Sequence, residues 1–326
     1  MTDLRHIYAT SRPMVEPMVN AVRPGLLPVE PLPIVNRIND WRIGRFLHRF
    51  GDECRPDLIV VGKPSRLAET FIQRFPDVYA VYDAMDDFPE FMRGLARRNL
   101  RLVENEVARQ ADLVVTSCES IHEKFAGCSR TALVHNACDT SAIAPAGAAR
   151  PGRLGYVGTI GGWFDWEIVI HIAEECPDLE IELVGPVFGA KPSRLPANVA
   201  LVGSLPHQEA MRRLSGYAAG LIPFRINPLT ESVDPVKYYE YRAAGLPVIS
   251  TAFGTMCSRG EHDHVYHIGR DANARAVVEQ AVRTPVTDEA TAAFRRDNDW
   301  SVRWAPLAEL LGQDTDAALT YRSKEQ

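Results

Sequence analysis

The chain contains no apolar run of 18 or more residues, so nothing in it reads as a membrane-spanning helix. Its start lacks the charged-then-apolar pattern of a secretory signal. Its six cysteines, Cys54, Cys118, Cys128, Cys138, Cys176 and Cys257, form no C-x-x-C pair and no disulfide-framework spacing. That excludes the common zinc sites and small secreted scaffolds, and a reducing cytoplasm fits best. There is no basic excess either. Formal net charge is −6, with 19 basic and 19 acidic side chains in residues 1–150 and 17 and 23 in residues 151–326. A nucleic-acid surface is therefore not expected. No internal repeat is evident.

What is present is ordinary globular material. The 326 residues are 46% apolar and 24% charged, enough for two domains of usual size. Short apolar runs alternate with helical patterns, which reads as α/β with parallel sheets. In the first half the expected strands are Arg5–Ala9, Leu58–Gly62, Val78–Tyr82, Leu113–Thr116 and Ala132–His135. Helical patterns lie between them, around Trp41–Phe50, Ser65–Phe75, Phe91–Gln110 and Ser120–Phe125. Six prolines from Pro13 to Pro33 rule out a long regular element there. Pro145–Pro151 has linker composition. The alternation then restarts with strands at Arg153–Val157, Glu180–Val184, Val199–Val202, Gly220–Pro223 and Val248–Thr251. The helices among them are Asp165–Glu175, His207–Ser215 and one near Pro235–Ala244. We expect domains at 1–147 and 148–295, then a closing helix and tail over 296–326 carrying Trp300, Trp304 and Leu307 on one face. Two such units place a ligand cleft beyond the carboxyl ends of their strands.

Ser232–Ser250, S-V-D-P-V-K-Y-Y-E-Y-R-A-A-G-L-P-V-I-S, is the most informative stretch. Asp234-Pro235 is a helix-start signal, and Gly245 suits a left-handed helix end. A helix start favours anions, and Lys237 in its first turn strengthens that reading. Glu240, three residues on, shares the helix face. A cation for phosphate beside a carboxylate for sugar hydroxyls suits a nucleotide-sugar; an exposed intrahelical ion pair is the plain alternative. Gly158, Gly161 and Gly162 follow a strand and precede a helix start at Asp165, so they let backbone approach a phosphate or simply make a tight turn. Asp83, Asp86 and Asp87 crowd the carboxyl end of strand Val78–Tyr82, and mutual repulsion should raise at least one pKa. Such a group suits a base; the alternative is a cap on the helix near Pro89.

Other features read more plainly. Arg93, Arg97 and Arg101 line one helical face, either solvated or facing an anionic membrane surface or lipid acceptor. The histidines of Glu261–His267 read as a solvated loop rather than a metal site. Cys118, Cys128 and Cys138 recur every ten residues, and burial as small apolar side chains explains them.

With Gly155–Gly162, Glu182–Pro186, Asn198–His207, Ala111–Ser117 and His135-Asn136 in order around it, Pro235–Ser250 resembles the donor-binding segment of family-4 GT-B glycosyltransferases. Within that group, Asp234–Glu240 and Tyr82–Phe88 look most like bacterial surface-polysaccharide enzymes of the teichuronic-acid and xanthan glucuronosyltransferase types. The likeness covers roughly residues 78–310. It implies two Rossmann-like parallel-sheet domains facing a cleft, and transfer from a nucleoside diphosphate sugar, UDP-sugar favoured, without metal or other cofactor. The acceptor would be a carbohydrate or a lipid-linked oligosaccharide, and the protein cytoplasmic or peripheral on the inner membrane face. Lys237 would hold the diphosphate and Glu240 the ribose, with Gly158, Thr159, Gly161 and Ser232 around the phosphates and Pro206 near the base. Asp86 or Asp87 would be the base in an inverting reaction; inverting and retaining stay open. A sugar-nucleotide epimerase and a non-catalytic nucleotide-sugar-binding partner share the frame. The chain departs from the pattern where the usual Glu-x7-Glu pair places Ser232, with Glu231 one position off. The basic residue often found after the Gly158 loop is missing. No Gly-rich loop follows the first strand, so the acceptor side is expected to be short at its start.

Overall fold

The computed structural model describes residues 33–51, 55–128, 130–144 and 152–322. The expected Arg5–Ala9 strand, the proline-rich region up to residue 32 and the 145–151 linker fall outside the described residues, apart from Pro33. Two compact units emerge. One takes the described residues up to Val134 together with those from Leu310, and the other is His135–Glu309.

The first unit runs α1 (Pro33–Gly51), β1 (Leu58–Val61), α2 (Arg66–Arg74), β2 (Tyr79–Ala84), α3 (Gly94–Gln110), β3 (Leu113–Thr116), α4 (Glu119–Lys124) and β4 (Thr131–Leu133). Its four strands are parallel in the order β1-β2-β3-β4, with Val81 opposite Leu113 and Thr116 opposite Leu133. Ile59, Tyr82, Val107, Val114 and Ile121 meet in its core. Ser65 starts α2 by accepting from the Ala68 N–H (3.1 Å). Helix α1 begins at Pro33, well ahead of the expected Trp41, because proline is well tolerated at a helix start. Helix α3 begins only at Gly94, since Pro89 sits in a separate 3-10 turn at Phe88–Phe91.

The second unit runs β5 (Arg153–Val157), α5 (Trp166–Glu175), β6 (Glu180–Val184), β7 (Val199–Gly203), α6 (His207–Leu214), β8 (Ala219–Ile222), α7 (Val236–Ala243), β9 (Val248–Ser250), β10 (Val265–His267), α8 (Ala274–Arg283) and α9 (Asp288–Asp297). Helix α10 (Trp300–Arg322) follows. The sheet is parallel throughout, in the order β10-β9-β8-β5-β6-β7. Chain order therefore reverses direction between β5 and β8, the switch point beyond which such sheets open a crevice. Two glycines allow that centre to close. A side chain at Gly155 would strike the Tyr217 ring, and one at Gly220 the Tyr241 ring. Both tyrosines are fully buried.

The boundary falls after Val134 rather than near residue 147. Residues 135–144 are tied into the second unit by long-range bonds: Asn136 to Asp234, Cys138 N–H to the Asn298 carbonyl (3.2 Å) and Thr140 to Asp299. Nor does one continuous helix run from residue 296, since α9 ends at Asp297 and α10 starts at Trp300. Asp299 breaks it by accepting from the Ser301 hydroxyl (2.6 Å), the Thr140 hydroxyl (2.6 Å) and the Ser301 N–H (2.9 Å), which hold its carboxyl well below the usual range. Trp300 and Trp304 then stack at 5.9 Å and Leu307 is buried.

Candidate nucleotide-sugar site

The loop after β5 and the helix after β8 meet at the switch point of the second unit. Gly158 has φ +142°, a backbone conformation that side-chain-bearing residues rarely adopt. A Cβ there would lie 2.5 Å from both Cε and Nζ of Lys237, so the missing side chain is the space the ammonium arm occupies. The Lys237 Nζ sits 5.3 Å from the Tyr156 ring centre and 5.8 Å from that of Phe224, an aromatic bed that favours a cation. The loop is stiff. Tyr156 Oη donates to the Thr159 carbonyl (2.6 Å), the Gly158 N–H to the Val184 carbonyl (2.8 Å) and the Ile160 N–H to the Pro186 carbonyl (2.9 Å).

Gly185 is part of the same construction. Its φ is +141°, and a Cβ on it would overlap the Gly158 carbonyl. Backbone cannot yield as a lysine tip can, so Gly185→Ala should cost about 2 kcal/mol of stability. Chemical denaturation of the full chain measures it; an unchanged midpoint would contradict this packing.

Helix α7 starts with Pro235 as its cap (φ −76°, ψ 118°), and no side chain caps it. Asp234, expected to cap it, is turned elsewhere. It is 3% exposed, and its Oδ2 accepts from the Asn136 N–H and the Tyr239 hydroxyl, both at 2.8 Å. Its Oδ1 accepts from Thr255 Oγ1 (3.0 Å) and Arg259 Nη2 (2.8 Å). Ser232 is buried in the 3-10 turn Thr230–Ser232 that leads into this corner. At the other end Gly245 has φ +78°, and the Leu246 N–H reaches the Tyr241 carbonyl (2.9 Å) to stop the helix. Lys237 and Glu240 are both half-buried on this helix. Burial first, then the charges of Glu240 and Asp299, push the Cys138 thiol up to about 12. Cys118 and Cys138 are buried and Cys128 is half-buried.

The structure thus brings Lys237 and Gly158 together within a well-held loop. Pro206 stands apart, exposed at the start of α6 after the edge strand β7, two strands from β5. At the start of α5 the Asp165 carboxylate accepts from the Glu167 N–H (3.1 Å).

In the first unit, burial above all, then Asp83 and Asp87, lifts the Asp86 carboxyl to about 7. Asp87 is differently placed. It makes no side-chain cap, and Lys124 Nζ donates to it at 2.8 Å while also reaching the fully buried Glu104. Glu104 accepts from Tyr82 Oη (3.0 Å). Of the two candidate bases, Asp86 is thus the one whose carboxyl is lifted, while Asp87 is bound in an ion pair. The arginine stripe also changes. Arg93 precedes α3, while Arg97 and Arg101 (3.0 Å) both donate to Glu90, which Pro89 brings back toward the helix. Arg93 is exposed, and so are Phe91 and Leu95.

The Glu261–His267 segment is not a plain solvated loop, since its last three residues form β10 with Val265 and Tyr266 buried. His262 pairs with Asp263 (2.9 Å) and His267 with the Met256 carbonyl (2.9 Å). Among the described residues no group of three or more His, Cys, Asp or Glu side chains could hold a metal ion. Gly185, Arg259 and Lys124 escaped sequence reasoning. Gly185 lay inside a quoted motif, but neither Arg259 nor Lys124 carried any local signal.

A search for known protein families matches none. A curated Bacillus subtilis (strain 168) protein described as teichuronic acid biosynthesis glycosyltransferase TuaH is 26% identical over 190 residues, covering 52% of this chain and 47% of that protein. The chain thus spans about half the length of the curated relative it matches. Among solved structures, sucrose-phosphate synthase from Thermosynechococcus elongatus superposes with a TM-score of 0.67 at 15% identity, over 94% of this chain and 87% of that one. Anabaena HepE in complex with UDP gives 0.63 at 15% identity, over 87% and 85%. At these identities the likeness is one of fold, and the fold is α/β of the GT-B kind.

Proposed function

We propose that the chain transfers a sugar from a nucleoside diphosphate sugar, UDP-sugar by preference, to a carbohydrate hydroxyl in surface-polysaccharide or glycolipid assembly. The observation that carries this is the Lys237 ammonium laid over Gly158 beside an uncapped helix start at a sheet switch point. The match to TuaH favours glycosyl transfer, and the UDP held by HepE favours the donor class. In the reaction, the anomeric carbon leaves a diphosphate whose charge grows in the transition state. Lys237 and the positive end of α7 stabilise that charge where other enzymes use a metal ion. Glu240 receives ribose hydroxyls, while Thr159 and Ser232 border the phosphates, with Gly161 in the same turn. Asp86, not Asp87, takes the acceptor proton if the configuration inverts. A lipid-linked oligosaccharide is the proposed acceptor, approached from a cytoplasmic membrane face on which Arg93, Phe91 and Leu95 rest.

The deciding experiment incubates the full chain with UDP-sugars or GDP-sugars and lipid-linked oligosaccharide on anionic vesicles, and follows products by mass spectrometry. Transfer from a UDP-sugar is expected. Conversion of the donor into an isomer without acceptor, or UDP binding without any turnover, would overturn the proposal. Transfer that proceeds equally on detergent-dispersed acceptor, with no vesicle co-sedimentation, would remove its membrane part.

A further inference from the structure

The buried Asp234 presents a problem for the site just described. A carboxylate lies two residues ahead of α7, the helix proposed to receive a diphosphate, and like charges in a poorly solvated corner repel strongly. We propose that Arg259 is a positioning residue that neutralises Asp234 and holds it away from the α7 start, keeping that start open to the donor anion. The inference rests on the donor-site reading above.

Four donors hold the carboxylate. The Asn136 N–H, the Tyr239 hydroxyl and the Thr255 hydroxyl are neutral and can orient it without cancelling its charge. Among the described residues that donate to it, Arg259 is the one with a permanent charge, at 2.8 Å from Oδ1. The His135 ring lies 3.9 Å from Oδ2 and contributes charge only when protonated. Arg259 is itself fixed on three sides. Its side chain is 13% exposed, its guanidinium lies 3.8 Å from the Tyr238 ring centre, and it donates to the Tyr239 hydroxyl at 3.0 Å. Tyr238 and Tyr239 belong to the first turns of α7, so the arginine braces the same helix whose start it shields. An aspartate before a helix ordinarily turns back to cap it. Here the cap position is Pro235, and both carboxylate oxygens point into the brace.

A structural brace and an electrostatic shield make opposite predictions for a double substitution. UDP binding to the full chain, followed by titration calorimetry with thermal unfolding in parallel, tells them apart. Arg259→Met should weaken UDP binding about tenfold, and Arg259→Lys should stay within about threefold of the parent. Adding Asp234→Asn to Arg259→Met removes the exposed charge and should recover affinity to within about threefold of the parent. A double variant that binds no better than Arg259→Met, or an Arg259→Met chain that binds as the parent does, overturns the inference. Should Arg259→Met fail to fold, Asp234→Asn alone decides. With the arginine charge left in excess, UDP should bind about threefold more tightly, and weaker binding overturns the shield. A parent chain that does not bind UDP at all overturns the donor-site reading instead.

Discussion

Replacing Lys237 with alanine should weaken UDP binding by about 2 kcal/mol, roughly thirtyfold, the scale of a charged hydrogen bond lost from a partly desolvated site. The fold should tolerate the change. Lys237 is half-buried, and its arm lies over Gly158 at the margin of the Tyr156 and Phe224 rings. Arginine should not restore full affinity. The lysine arm runs where a side chain on Gly158 would lie, and a planar guanidinium is wider and directs its donors differently from an ammonium. Titration calorimetry with UDP, at low and high salt, measures both variants. If the alanine variant binds UDP as tightly as the parent, the anion site is not at this helix. If affinity falls and thermal stability falls equally, the lysine is a packing element.

Asp86→Asn should lower turnover by about a thousandfold while leaving UDP affinity unchanged, the range expected when a general base is removed. The pH dependence is equally specific. A base must be ionised, and burial with Asp83 and Asp87 nearby holds the Asp86 carboxyl at about 7. Transfer should therefore rise with pH through about 7 and level off above it. The same shift acts on stability with the opposite sense. The folded chain keeps its proton to higher pH than the unfolded chain, whose carboxyl ionises near 4. This group's contribution is present below that value and is lost as pH climbs through about 7. Asparagine cannot ionise, so the variant should gain stability relative to the parent at pH 8 and gain little at pH 4. Thermal unfolding at the two pH values checks this without any assay of transfer. Full activity in the variant would remove Asp86 from the mechanism, whereas equal stability differences at both pH values would contradict its burial.

Much of the sheet architecture was legible because parallel strands covered on both faces read as unbroken apolar runs. Leu113–Thr116 and Ala219–Ile222, buried at every position, are the plainest cases. Strand β10 escaped because its residues sit among acids and histidines, and only its pairing with β9 makes it a strand. Lys237 was legible because proline and glycine bracket its helix. The arginine stripe differs at its first member: the helix expected from Phe91 starts only at Gly94, which leaves Arg93 ahead of it. Arg259, Lys124 and Glu104 work through partners 25, 37 and 22 residues away or more variously placed, and no local pattern encodes such contacts.

The short stretch from His135 to Thr140 carries a practical lesson for dissecting this molecule. A scissor placed by composition, in the alanine- and proline-rich segment beyond it, would strip Asn136 from Asp234 and Thr140 from Asp299. The excised second unit would then lose one donor to its buried acid and one ligature on its final helices. A fragment begun at His135 keeps both.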